Sequence, residues 1–191
     1  MKKTVQDENW ERATQLVNDS GFAQNVGIRL TRLEPGYCEG ILKIEQKHRN
    51  PLGTVHGGVL YTLCDTICGV AGASFGGGGS TVQSSFNFLR PGRDGIITCR
   101  ARVTKNGRQL IWVECVLTDE EERELCRGEF MYIQMPGVRH FGIEPDTLPG
   151  GISPAPEEKA ADRPPLPRTA VREKPPKEEK EKGSHGKKRI T

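Results

Sequence analysis

No stretch of the chain approaches the roughly 20 consecutive apolar residues that a membrane-spanning helix needs. The start, MKKTVQDENWER, has two lysines but no apolar segment behind them. A secretory signal is therefore not expected, and the protein reads as cytoplasmic. Aromatic residues are scarce, eleven among 191, and none falls in 151–191, which holds seven of the thirteen prolines. A segment of that composition cannot bury enough apolar surface to offset its ordering entropy. The expected organisation is one folded domain over 1–136 and a disordered Pro/Lys/Glu-rich tail over 137–191. A large excess of one charge is also missing. The net charge is +3, and 151–191 holds 11 basic and 7 acidic residues, leaving 17 and 18 for the body. The body thus has no global electrostatic reason to bind nucleic acid. Finally, Cys38, Cys64, Cys68, Cys99, Cys115 and Cys126 include no C-x-x-C pair, and most lie inside apolar runs such as TLCDTICGV, IITCRA and WVECVL. They read as small buried hydrophobes. Cys64 and Cys68 share a helical face, but a metal would need more ligands at metal spacing, so neither metal nor cofactor is expected.

Against these absences stands a clear order of elements. Trp10, Ala13 and Val17 fall on one side of a short amphipathic helix over 8–19. Two strand-like runs, around 26–34 and 37–46, are joined through Glu34-Pro35-Gly36 as a turn. The apolar segment GVLYTLCDTICGVAGASF is too long for a strand and reads as one buried helix, stopped by the Gly76–Gly79 run. Four strands follow. Ile97, Cys99, Ala101 and Val103 alternate with polar neighbours, Asn106-Gly107 is a favoured hairpin dipeptide, and Ile111, Val113, Cys115 and Leu117 alternate again. An antiparallel sheet of this length shelters a single apolar helix by curling around it, an α+β architecture.

Between Gly57 and Leu89 only Asp65 is charged, and no histidine occurs. An unpaired buried carboxylate costs several kcal/mol, so its place in a greasy helix needs a reason. Structural bonding to Ser, Thr or backbone groups is one reason, and catalysis is the other. The preceding loop points to the second. Gly57 and Gly58 stand where the helix begins, so free N–H groups and the positive end of the helix dipole face outward. A donor aimed at a developing oxyanion is worth roughly 2.7–4 kcal/mol. His56 would donate a second bond or fix the loop, and Asn50, in a turn shaped by Pro51 and Gly53, would orient a water or a carbonyl. His56 and Asp65 are nine residues apart, about 13 Å along a helix. Acid–base or nucleophilic contacts are near 3 Å, so a site using both would be assembled from two subunits of a two-fold dimer.

The motif Asn50-Pro51-x-Gly53-x-x-His56-Gly57-Gly58 followed by Asp65, then STVQSSFNFLRPG and NGRQLIWVECVLTDEEERELCRGEF, resembles the hotdog-fold acyl-CoA thioesterases, most closely the PaaI-like subgroup, over roughly residues 15–135. The resemblance implies a curled sheet around one helix, hydrolysis of acyl-CoA to a carboxylic acid and free CoA, and a homodimer paired into a dimer of dimers, with no cofactor. It implies that the Gly57 N–H polarises the thioester carbonyl, His56 supports the loop, Asn50 orients water or carbonyl, and Asp65 of the partner is base or nucleophile. It also implies an assisting hydroxyl on the next strand, for which Thr81 is the first choice ahead of Ser80, Ser84 and Ser85. Gly58 and Tyr61 would contact the substrate, with Leu60, Phe86 and Phe88 as further walls. Arg90, Arg93, Lys105 and Arg108 are the cations available for the CoA phosphates.

Two other readings share these residues. A hotdog dehydratase also pairs a His with a carboxylate, but here His-Gly-Gly precedes the acid by nine residues, which favours hydrolysis. A non-catalytic acyl-CoA sensor would not need Asp65, and the tail, which mixes Glu with Lys and lacks aromatics, is poorly suited to stacking on bases.

Overall fold

The computed structural model describes residues 5–75 and 77–135, so the expected tail over 137–191 lies outside the described residues. Helix α1 spans Val5–Asn18, with Ala13 buried and Trp10 and Val17 packed beside the core. This extends the expected helix toward the N-terminus. A second helix, α2 (Gly21–Val26), was not expected, because six residues are too few to display a helical period. Local chemistry defines it instead. Ser20 Oγ accepts from Ala23 N, and Gly27, at φ 93°, closes the end in the left-handed conformation that glycine adopts without strain.

Strands β1 (Ile28–Glu34) and β2 (Tyr37–Lys43) form the expected hairpin, and helix α3 (Gly57–Ala73) is the expected apolar helix. Four strands follow: β3 (Gly78–Phe88), β4 (Ile96–Asn106), β5 (Leu110–Thr118) and β6 (Glu124–Met135). They form one antiparallel sheet in the order β1-β2-β4-β5-β6-β3. The alternation read from the sequence is the alternation of burial: Ile97, Cys99, Ala101 and Val103 on β4, and Ile111, Val113, Cys115 and Leu117 on β5, all turn inward. Against them α3 buries Leu60, Leu63, Cys64, Ile67, Cys68, Val70 and Ala71. Fully burying one such aliphatic side chain is worth about 1.5–3 kcal/mol, so this one interface supplies most of the drive to curl the sheet. The result is the hotdog fold.

The ends of α3 are tied down. At its C-terminus the buried Ser74 Oγ donates to Ala71 O and accepts from Gly36 N, both at 2.7 Å, joining the helix to the β1–β2 turn. The two sheet edges differ. On β1, the Asn18 side chain accepts from Leu30 N at 2.7 Å and reaches Leu30 O at 3.4 Å, so α1 covers backbone that would otherwise be open. On β3, the side away from β6 pairs with no strand among the described residues.

Candidate active site

The loop before α3 is built from its own polar side chains. Asn50 Oδ1 accepts from Leu52 N and Thr54 N at 3.0 and 3.2 Å, and its Nδ2 donates to Thr54 Oγ1 at 2.9 Å. The carbonyl oxygen is thus occupied within the loop, leaving one amide N–H of Asn50 for any outside group. His48, which the sequence reading passed over, is the anchor. It is buried, its Nδ1 accepts from Glu45 N at 2.9 Å, and its Nε2 therefore carries the proton donated to Val26 O at 2.7 Å. Its carbonyl in turn accepts from His56 N at 2.8 Å. A histidine held at both ring nitrogens fixes the angle at which the chain enters α3.

His56 is the N-cap of α3, its Nδ1 accepting from Gly58 N at 2.9 Å. The Gly58 N–H is engaged by this cap, and of the two roles open to His56 the geometry supports fixing the loop. With Nδ1 accepting, the neutral ring carries its proton on Nε2. The Gly57 N–H has no acceptor among the described residues, which makes it the donor left at this terminus. A Cβ added at Gly57 would lie 3.2 Å from Phe88 Cε1, so that ring would have to give by a few tenths of an ångström.

Eight residues along α3, about 12 Å at 1.5 Å per residue, comes Asp65. It was expected to be dry. In the single chain it is half-buried, because the helix face it occupies looks toward the open β3 edge. Thr81 Oγ1 donates to Asp65 Oδ1 at 2.8 Å. The Tyr132 hydroxyl lies 3.2 Å from the same oxygen and 3.0 Å from the Asp65 carbonyl, sharing its proton between them. Oδ2 accepts no hydrogen bond among the described residues. Burial foremost, and then negative charge nearby, push the Tyr132 phenol up, so it stays a donor.

A bulge selects Thr81. Opposite β6, Thr81 pairs with Tyr132 and Gln83 with Met131, which leaves Val82 as the extra residue. Strict alternation from Phe88, Phe86 and Ser84 would turn Val82 toward the helix. The bulge turns Thr81 there instead and leaves Val82 49% exposed. Tyr132 escaped the sequence reading because nothing in LCRGEFMYIQM marks it. Only its pairing with Thr81 brings it to Asp65.

The remaining site residues divide. Tyr61, half-buried, hydrogen-bonds Ser84 at 2.7 Å and packs among Phe86 and Phe130, with Phe88 beyond, forming an aromatic wall at the Gly57 end. The four cations do not converge in one chain. Arg90, Arg93 and Arg123 border a hollow of about 520 Å³ that also carries Asp94, Asp119, Glu120 and Glu121, so acids offset its cations. Arg90 is further tied to Glu124 O at 2.8 Å. Lys105 and Arg108 border a second hollow of about 600 Å³ with Gly107, Gln109, Leu110 and Trp112 and no acid. The two hollows lie at opposite ends of β4, about 33 Å apart at 3.3 Å per residue. The cysteines are also less scattered than their spacing suggests: the sulfurs of Cys64, Cys99 and Cys115 all lie within 4.8 Å of one another.

Comparison with known proteins agrees with this geometry. The family model described as the thioesterase superfamily matches residues 52–126, from the loop to the start of β6. Acyl-coenzyme A thioesterase 13 of Homo sapiens is 33% identical over 103 residues, which cover 51% of this chain and 72% of that protein. A hypothetical thioesterase of Streptococcus pneumoniae, solved with coenzyme A, is 30% identical over 56% of this chain and 88% of its own, with a TM-score of 0.55. Further structures of that protein carry alanine at an aspartate and at a threonine sixteen positions apart, the separation of Asp65 and Thr81. The Escherichia coli PaaI protein, at 21% identity and a TM-score of 0.66 over 71% of this chain and 99% of its own, shares the fold. With that family model matched and a thioesterase relative 33% identical over 72% of its own length, the chain belongs to the thioesterase superfamily.

Proposed function

We propose that the protein hydrolyses acyl-CoA thioesters to a carboxylic acid and free CoA, at a site shared by two protomers. The observation that carries this reading is the separation, along one rigid helix, of an amide with no acceptor at Gly57 from a carboxylate with one open oxygen at Asp65. About 12 Å is too far for both to reach one carbonyl carbon within a chain. The names of the relatives support the substrate class, since they include acyl-coenzyme A thioesterases.

The open β3 edge supplies a route to the second protomer. Strand β3 runs antiparallel to α3, with Phe88 beside Gly57, Ser84 beside Tyr61 and Thr81 beside Asp65. Two β3 strands paired antiparallel about a two-fold axis at Ser85 would bring Ser84 opposite the partner's Phe86. The bulged Thr81–Val82 step would then stand opposite the partner's Phe88. Inward-facing residues meet inward-facing residues, as antiparallel pairing requires. The same symmetry carries Asp65 and Thr81 of one chain to the partner's Gly57, once on each side of the axis.

In that site the Gly57 N–H donates to the thioester oxygen as negative charge develops on it, and His56 and Asn50 hold its loop. Asp65, steadied at Oδ1 by Thr81 and Tyr132, takes a proton from water through Oδ2. The water oxygen bonds to the acyl carbon, and collapse of the tetrahedral adduct breaks the C–S bond. The proton passes to the CoA sulfur, giving acid and thiol. Lys105 and Arg108 bind the CoA phosphates better than Arg90 and Arg93 do, because no acid lines their hollow. Leu110 of that hollow precedes Ile111, which packs against Gly72 near the C-terminal end of α3, so the proposed symmetry would turn the hollow toward the partner's Gly57 loop.

The test is release of free thiol from a panel of acyl-CoAs, with Asp65→Asn and Gly57→Pro proteins assayed alone and after unfolding and refolding together. Random pairing makes half the dimers mixed, each with one intact site, so the mixture should recover about a quarter of wild-type activity. Hydrolysis of no member of the panel by wild type would refute the activity. Hydrolysis by wild type without recovery in the mixture would refute sharing.

A further inference from the structure

Four cysteines beneath Asp65 come from three elements. Cys64 and Cys68 lie one turn apart on α3, Cys99 is on β4 and Cys115 on β5, and all four are buried. The sequence reading took them as separate apolar fillers, because no two belong to a ligand motif. Three of the sulfurs nevertheless converge: Cys64 and Cys99 are 4.0 Å apart, and Cys64, Cys99 and Cys115 lie within 4.8 Å of one another. Cys68 lies outside that trio but interacts with the Cys115 sulfur. A disulfide does not suit this arrangement, since every pair would have to close to about 2.05 Å with an oxidant admitted to the core. A tetrahedral ion bound by sulfur at about 2.3 Å holds its ligands about 3.8 Å apart, which the trio meets with small movements.

We infer that Cys64, Cys99 and Cys115, with Cys68 as fourth ligand, bind a thiophilic divalent cation of the zinc class between α3 and the sheet. Soft sulfur donors with no oxygen among them select such an ion over magnesium or calcium. Three thiolates and one neutral thiol around a divalent ion leave a single negative charge. Binding releases three protons to solvent, so occupancy falls as pH drops. In the metal-free chain burial pushes the Cys64, Cys68 and Cys99 thiols up, so they pack as neutral groups. The ion would pin α3 to β4 and β5 on both sides of Asp65.

The full chain, expressed in zinc-supplemented medium and passed into metal-free buffer, should retain about one zinc per chain by mass spectrometry. After unfolding and refolding with Cd2+ it should show the ultraviolet thiolate-to-cadmium charge-transfer band. Cys99→Ala and Cys115→Ala should lose both signals, while Cys126→Ala, which alters a buried thiol outside the cluster, should keep them. Wild-type protein without zinc and without a cadmium band overturns the proposal, as does equal zinc in wild type and a folded Cys99→Ala. If neither cluster variant folds, the intensity of the wild-type cadmium band decides, because three or four thiolates are required and one or none refutes it.

Discussion

Replacing Gly57 by proline removes one hydrogen-bond donor from the proposed site while leaving the helix a residue it favours there. Gly57 is the first residue of α3, a position where proline is well tolerated because its N–H would have no helical partner. The preceding His56, at φ −65° and ψ 132°, already has the extended conformation that proline demands of its neighbour. The new Cβ would lie 3.2 Å from Phe88 Cε1, but that ring is 58% exposed and can swing outward. What is lost is an amide worth about 2.7–4 kcal/mol to a developing oxyanion, so kcat should fall about 10²–10³-fold. Gly57→Ala introduces the same Cβ and keeps the N–H, so its loss measures the steric part alone. Initial rates of thiol release, read beside thermal melts, separate the two. If folded Gly57→Pro and Gly57→Ala differ by less than about three-fold in kcat, the amide is not the oxyanion donor.

Thr81→Val, nearly isosteric, removes the 2.8 Å bond to Asp65, and Tyr132→Phe removes the second donor; each should lower kcat about 10–100-fold with KM little changed, and wild-type rates would free Asp65 from them. Ser85→Cys should form an intermolecular disulfide on mild oxidation, because symmetry-related Cα atoms in an antiparallel pair are about 4.5–5.5 Å apart; only monomer on a non-reducing gel would rule out that axis. Arg108→Glu should raise KM for acyl-CoA about ten-fold or more at constant kcat, an assignment that an unchanged KM would remove. Stability should decline above about pH 9, because burial holds the Cys126 thiol up to about 12 from 9.0, so the unfolded chain loses a proton that the folded chain keeps. Urea midpoints measured up to about pH 10.5 should fall less steeply in Cys126→Ala, and equal slopes would contradict this.

The period-two runs of β4 and β5 and the long apolar run of α3 were legible because each residue's partner in burial is set by local geometry alone. Asp65 was legible for a related reason: a lone charge in an apolar helix has no local explanation, and Gly57 is marked by its place at a helix start. Other features involve pairs of residues far apart in the chain. Nothing local inserts Val82 as a bulge, yet that insertion decides which hydroxyl reaches Asp65. The cap that engages the Gly58 N–H was hidden as well, since a histidine before a helix has several rotamers and only the packed loop selects one.

Sequence by itself therefore determined α1, α3 and the six strands, their order and the inward faces, and it singled out an amide and a carboxylate eight residues apart on α3. These follow from periodicity and from the cost of burying charge, which act over a few residues. Tertiary structure alone decided that Tyr132 steadies Asp65, that three separated cysteines converge, and that the cations fall into two hollows at opposite ends of β4. Strand register and curvature govern those outcomes. They minimise the energy of the whole sheet wrapped on its helix, so no short window of residues contains them.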